Sequence, residues 1–172
     1  MIGEYAGYIS LLLIIFLAIG ASYWDIKYRK IPNKLTFPMM LAGMVIGFIQ
    51  GGPAGFMENI KGLLVGFAFL LAFYLTIGGI GEGDIKLLAA FGALGGPAYV
   101  VKAAIYGVIF GGIYAVLYLL FKRKLIATLK WIALLLPGLV CKDIRESISY
   151  ADETMPYGPF LAAGAVLALF LA

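Results

Sequence analysis

Two aspartates stand where this chain is equipped for chemistry. Asp84 follows two glycines in Gly81-Glu82-Gly83-Asp84, at the start of an apolar stretch, and Asp25 lies in Tyr23-Trp24-Asp25-Ile26-Lys27, at the end of another. An ionisable group at the edge of hydrocarbon is costly to place, so each carboxylate is a candidate functional group by default. Two acids that meet across helices suggest aspartic-protease chemistry. At about 3 Å they cannot both ionise and so share a proton; the ionised one takes a proton from water and the protonated one polarises a scissile carbonyl. The rest of the composition points the same way. There is no histidine, and Cys141 is the single cysteine, which excludes a Ser-His dyad, an HExxH or CxxC zinc site and an internal disulfide. A catalyst built from this chain uses carboxylates, lysines, hydroxyls or one thiol, and no metal or cofactor is expected.

Each acid also has a plain structural account. Asp84 can be a helix N-cap, with glycines building the turn before it, and Asp25 can be a charge at the membrane surface paired with Lys27 or Arg29. The functional account adds a reason for Gly81 and Gly83: without side chains they let a substrate backbone approach the carboxylate closely. Glu82, between them, is assigned to water. Glu4 and Glu58 belong to the outer side, Asp143, Glu146, Asp152 and Glu153 to a solvated segment, and Cys141 is read as an inert thiol.

The elements that must position the acids are membrane helices. The 172 residues are 63% hydrophobic and 13% charged, with a mean hydropathy of +1.02, where a soluble domain carries roughly 25% charge. A span takes about 20 apolar residues. Spans are expected over Tyr5–Tyr23, Leu35–Gln50, Gly62–Ile77, from Asp84 onward, Ala103–Phe121, and from Tyr157 to the C-terminus. The fourth is weak, interrupted by Gly92, Gly95, Gly96 and Pro97. Leu125–Val140 carries Lys130 and stops at Pro137-Gly138, and is read as a helix lying in the interface with Trp131 at headgroup depth; a seventh span is the alternative. Ala18-Ile19-Gly20-Ala21-Ser22 resembles a signal-peptide cleavage site, but a signal peptide needs a basic start and the N-terminus offers only Glu4. With six spans, eleven basic residues fall on one side, among them Lys27, Arg29, Lys30, Lys34, Lys86 and Lys122–Lys124, and only Lys61 and Lys102 on the other. The basic side is cytoplasmic, the N-terminus is extracytoplasmic, and Asp25 and Asp84 arrive at one depth on the cytoplasmic face. The net charge of +4 is explained by topology and contact with anionic lipid, without a nucleic-acid partner.

The pattern Asp25-x-Lys27-x-x-x-Ile31-Pro32-Asn33, followed by Gly81-x-Gly83-Asp84-x-Lys86, resembles the type IV prepilin peptidase and preflagellin peptidase family. Pro156-Tyr157-Gly158-Pro159 resembles the start of that family's final helix. The resemblance implies an all-α membrane protein, a six-helix GxGD-type aspartic protease bundle forming one peptidase domain over residues 1–172. It implies Asp25 and Asp84 as the catalytic acids, with Gly81, Gly83, Lys86, Lys27, Pro32 and Asn33 in support. It also implies a substrate, a prepilin-like or preflagellin-like precursor whose short basic leader is removed at the cytoplasmic edge of its apolar helix. Larger members carry a cytoplasmic cysteine-pair domain near the N-terminus and methylate the product. With one cysteine, this chain resembles the short, peptidase-only members. The competing class is an ion- or proton-coupled transporter subunit using the same carboxylates as a relay. Against it, both acids fall at one face rather than at the midplane.

Overall fold

The computed structural model describes residues 2–76, 81–121 and 157–171. The ambiguous stretch Leu125–Val140, with Trp131, and the segment from Cys141 to Pro156 lie outside the described residues. Among the described residues the chain is all-α: α1 (Ile2–Tyr28), α2 (Asn33–Thr76), α3 (Glu82–Phe121) and α4 (Gly158–Phe170). Three of these, over Tyr5–Tyr28, Asn33–Leu75 and Glu82–Tyr118, are long and apolar enough to cross a membrane.

The expected spans two and three run together as α2, and spans four and five as α3. Each of these two helices, α2 and α3, is broken once. In α2 the break is at Gly51 and Gly52, where Gly52 has φ 59°; in α3 it is at Gly96, with φ 80°. Glycine adopts positive φ without a Cβ penalty. The residue after each break is a proline, Pro53 or Pro97, which restarts a helix at a position whose N–H has no partner anyway. The break in α2 is narrower than the 51–61 gap between the expected spans, because Pro53–Lys61 are already helical. In α3 only Gly96 leaves the helix, and Gly92 and Gly95 stay inside it. The last expected span is a 13-residue helix, α4, about 20 Å long at 1.5 Å per residue.

Residues Met1–Phe110 with Pro156–Ala172 form one compact unit, and Gly111–Met155 a second. The described part of the second is the end of α3, where the Tyr114 and Tyr118 rings stack at 6.3 Å. In the first unit the opening half of α3 is the centre. Leu87, Leu88, Ala89, Ala90, Phe91 and Ala93 are all 0% exposed, so every face of this helix is covered. That explains why it reads as a weak span: its small residues meet protein backbone instead of lipid. A methyl group on Gly62 would run into the Gly92 carbonyl, one on Gly66 into that of Leu88, and one on Gly43 into that of Ala93. Such contacts let membrane helices approach closely. Past the break, Gly107 and Gly164 bring α3 against α4, and the Tyr99 hydroxyl donates to the Ala165 carbonyl at 2.8 Å. Asn59 Nδ2 donates to the Gly43 carbonyl at 2.7 Å and ties the two halves of α2 together. Helix α1 packs on both α2 and α4, while Tyr8, Leu12, Phe16 and Ile19 stay exposed on its outer face, as suits a lipid-facing surface.

Candidate active site

Asp25 ends a stripe. Ile14, Leu17, Ala18 and Ala21 are buried positions of α1, and their spacing of three and four residues puts position 25 on the same face. Its side chain therefore turns inward, 7% exposed, while Tyr23, Trp24, Ile26, Lys27 and Tyr28 face out. The Arg29 N–H still bonds the Asp25 carbonyl, at 2.9 Å. Arg29 itself has φ 53°, a left-handed conformation that costs a non-glycine residue roughly 1–2 kcal/mol. The chain then turns through Ile31, and the Pro32 carbonyl accepts from the N–H groups of Leu35 and Thr36 at 3.0 and 3.4 Å to open α2.

Asp84 belongs to the first turn of α3 but is not its N-cap. The helix begins at Glu82, so Gly81 takes the capping position and Asp84 is the third helical residue. Its carboxylate reaches back: the Gly81 N–H donates to Asp84 Oδ2 at 3.2 Å, and the Asp84 N–H donates to the Gly81 carbonyl at 3.0 Å. This is half of a capping box, with Asp in the place of Glu. The other oxygen, Oδ1, is buried and has no hydrogen-bond partner among the described residues.

Both acids line one cavity of about 320 Å³, with room for several waters, and the charge of Asp25 acts on Asp84 across it. Arg29, Lys30 and Lys86 bring basic groups to the same lining, and Ile31, Gly81, Glu82 and Gly83 complete it. Asp25 Oδ2 accepts the buried Gly158 N–H at 2.9 Å. That amide is the first of α4, where unpaired N–H groups favour a carboxylate. A Cβ at Gly158 would sit 2.8 Å from the same oxygen, so glycine is what lets α4 reach Asp25.

The remaining candidates divide. Gly81, Gly83 and Lys86 line the cavity. The bare Cα of Gly83 faces Ile31 (an added Cβ would lie 3.2 Å from the Ile31 Cβ), so its space is filled by this chain's own loop. Lys86 Nζ donates to Asn33 Oδ1 at 3.2 Å, which joins α3 to the start of α2. Pro32 immediately precedes α2 and is outside the lining. Lys27 also stands outside it. Rather than pairing with Asp25, it donates to the Tyr23 hydroxyl at 3.0 Å on the outer face. The basic residue whose charge acts on Asp25 is Arg29. Glu82 is exposed at the cavity rim. Gly158 is the residue the sequence reading left without a role, and its signal was the glycine-proline pair at a helix start. Among the described residues no three His, Cys, Asp or Glu side chains group to hold a metal ion.

In sequence the chain resembles known proteins. The sequence model of the type IV leader peptidase family matches residues 11–116, a stretch that holds both aspartates and the whole cavity lining. A prepilin leader peptidase/N-methyltransferase of Burkholderia pseudomallei is 33% identical over 85% of this chain and 41% of its own length. One of Bacillus subtilis is 28% identical over 94% of this chain and 52% of its own length. A type 4 prepilin-like proteins leader peptide-processing enzyme of Escherichia coli is 27% identical over 89% and 48%. The chain thus spans about half the length of these relatives. No solved structure gives a significant match. With its family match covering more than half of its residues, the chain belongs to the type IV leader peptidase family.

Proposed function

We propose that this protein is a membrane aspartic endopeptidase that removes the short basic leader from type IV prepilin-like or preflagellin-like precursors at the cytoplasmic membrane face. The observation that carries the reading is the shared cavity. Asp25 and Asp84 line it together, each with one oxygen held by a glycine N–H, and Asp84 Oδ1 has no partner among the described residues. That free oxygen is the atom available to hold water. The ionised carboxylate takes a proton from the water as the water oxygen attacks the scissile carbonyl carbon, and the protonated carboxyl passes its proton to the carbonyl oxygen. Collapse of the resulting diol breaks the C–N bond, and the proton passes to the leaving amine. In the membrane, α1, the two halves of α2, the two halves of α3 and α4 would make the six passes of one peptidase domain over residues 1–172. The N-terminus would be extracytoplasmic and the cavity cytoplasmic. A proton relay would need acids strung through the depth of the bundle, and these two share one cavity.

The test uses the full chain in membranes with a precursor that carries a basic leader and an apolar helix, read by the mobility of the product. Asp25→Asn and Asp84→Asn should each abolish cleavage while the protein still inserts. Full cleavage by either variant would end the aspartic reading.

A further inference from the structure

The cavity leaves the outward face of the last α1 turns without a task, yet that face is organised. Tyr23, Trp24 and Tyr28 are 55%, 40% and 49% exposed. Even so, the Trp24 and Tyr28 rings lie 4.8 Å apart, and Tyr23 meets Trp24 edge-on at 6.4 Å. Lys27 sits among them, its Nζ 5.4 Å and 5.2 Å from the Tyr23 and Tyr28 ring centroids and hydrogen-bonded to the Tyr23 hydroxyl. An apolar helix runs up to this cluster from Tyr5, and exposed Arg29, Lys30 and Lys34 follow it.

Neither bulk phase suits such a surface. Water would gain nothing from three exposed rings, and hydrocarbon would strand an ammonium. The boundary suits both, because Tyr and Trp have apolar bodies with polar tips and lysine reaches outward along its stem. The charge then selects the lipid. Lys27 makes the outward cluster basic and Lys34 follows it, while Asp25 and Asp84 turn inward to a cavity that Arg29 and Lys30 also line.

We propose that Tyr23, Trp24, Lys27 and Tyr28 bind the headgroup layer of an anionic bilayer and so fix the depth of Asp25, which lies on the opposite side of the same turn. The cluster rises about 7.5 Å along the helix, enough to hold Asp25 within the headgroup layer.

Trp24 reports on this contact directly. The chain has two tryptophans, so Trp131→Phe leaves Trp24 as the single emitter in the full chain. The protein is reconstituted in bilayers in which phosphatidylglycerol or phosphatidylcholine carries brominated acyl chains. Quenching should be strongest for bromines nearest the headgroup. The relative association with phosphatidylglycerol should exceed that with phosphatidylcholine by about fivefold or more. Lys27→Gln should lower that ratio by a factor of roughly two to five, and Lys27→Arg should keep it. If Trp131→Phe fails to insert, the difference in emission between the unaltered chain and Trp24→Phe gives the same reading. Strongest quenching from bromines at the chain ends, equal quenching by the two lipids, or a ratio unmoved by Lys27→Gln would each overturn the proposal. The measurement needs no substrate, so its outcome is independent of the peptidase reading.

Discussion

Asp25 and Asp84 carry the same side chain into the same cavity from opposite ends of their helices. Asp84 opens α3, where free amides favour a carboxylate, and its donor is Gly81, three residues back. Asp25 closes α1, where the carbonyl end of the helix disfavours negative charge. It borrows the amide end of α4 through Gly158, 133 residues on. One acid is supported by its own turn, the other by assembly of the bundle. Changes remote in sequence should therefore reach Asp25 and spare Asp84.

The largest expected effect is the one in which the two acids do not differ. Asp25→Asn and Asp84→Asn should each reduce cleavage by roughly 10²–10⁴-fold, and the double variant should be no worse than either single, because a pair that works as a unit is lost once. In the unaltered protein the rate against pH should form a bell with two limbs, as coupled acids require. A profile with one limb, or additive losses, would separate the two groups.

A smaller effect should expose the asymmetry. In Gly158→Val the new side chain displaces the carboxylate of Asp25, and cleavage should fall by up to about 10²-fold. Gly81→Ala, beside Asp84, should cost less, under about tenfold, since its Cβ comes no nearer than 3.2 Å to Asp84 Oδ2. Equal losses at the two glycines would remove the distinction between borrowed and local support.

Next comes the link between α3 and the start of α2. Lys86→Met should cost about fivefold in cleavage, the worth of one hydrogen bond, with Asn33→Ala similar and the double variant adding little. Lys86→Arg should restore most of the loss. Full additivity would show that the two residues act separately. The smallest effect is expected at Glu82→Gln, under about twofold, because Glu82 is exposed at the rim. A large loss there would give the exposed acid a part in binding substrate.

The same asymmetry decides what could be read from the sequence. Asp84 was legible because its surroundings are local: a glycine turn, an acid and an apolar run. Only the detail changed, since the helix starts two residues before Asp84 and the carboxylate reaches back to Gly81. Asp25 was legible as the end of the stripe Ile14, Leu17, Ala18 and Ala21, but its donor was not, because no local pattern ties residue 25 to residue 158. The span reading went astray where small residues serve two purposes. Gly96 breaks its helix and Gly92 does not, yet both read as interruptions. The difference lies in the backbone: Gly62 packs against both, but only Gly96 takes a positive φ and leaves the helix. Lys27 lies close to Asp25 in sequence, but two residues along a helix is about 200° around it, which sends it to the outer face.

The bond from Gly158 to Asp25 also has a schedule. A ribosome delivers roughly 5–20 residues per second, so both aspartates are in place for some seconds before the amide that steadies the first of them exists. A nascent chain arrested short of residue 157 carries the acids and the cavity lining but leaves Asp25 without its α4 donor. The steadying of Asp25 therefore waits on a segment made after both acids, and on the proposed reading a chain halted before that segment is held back from cutting.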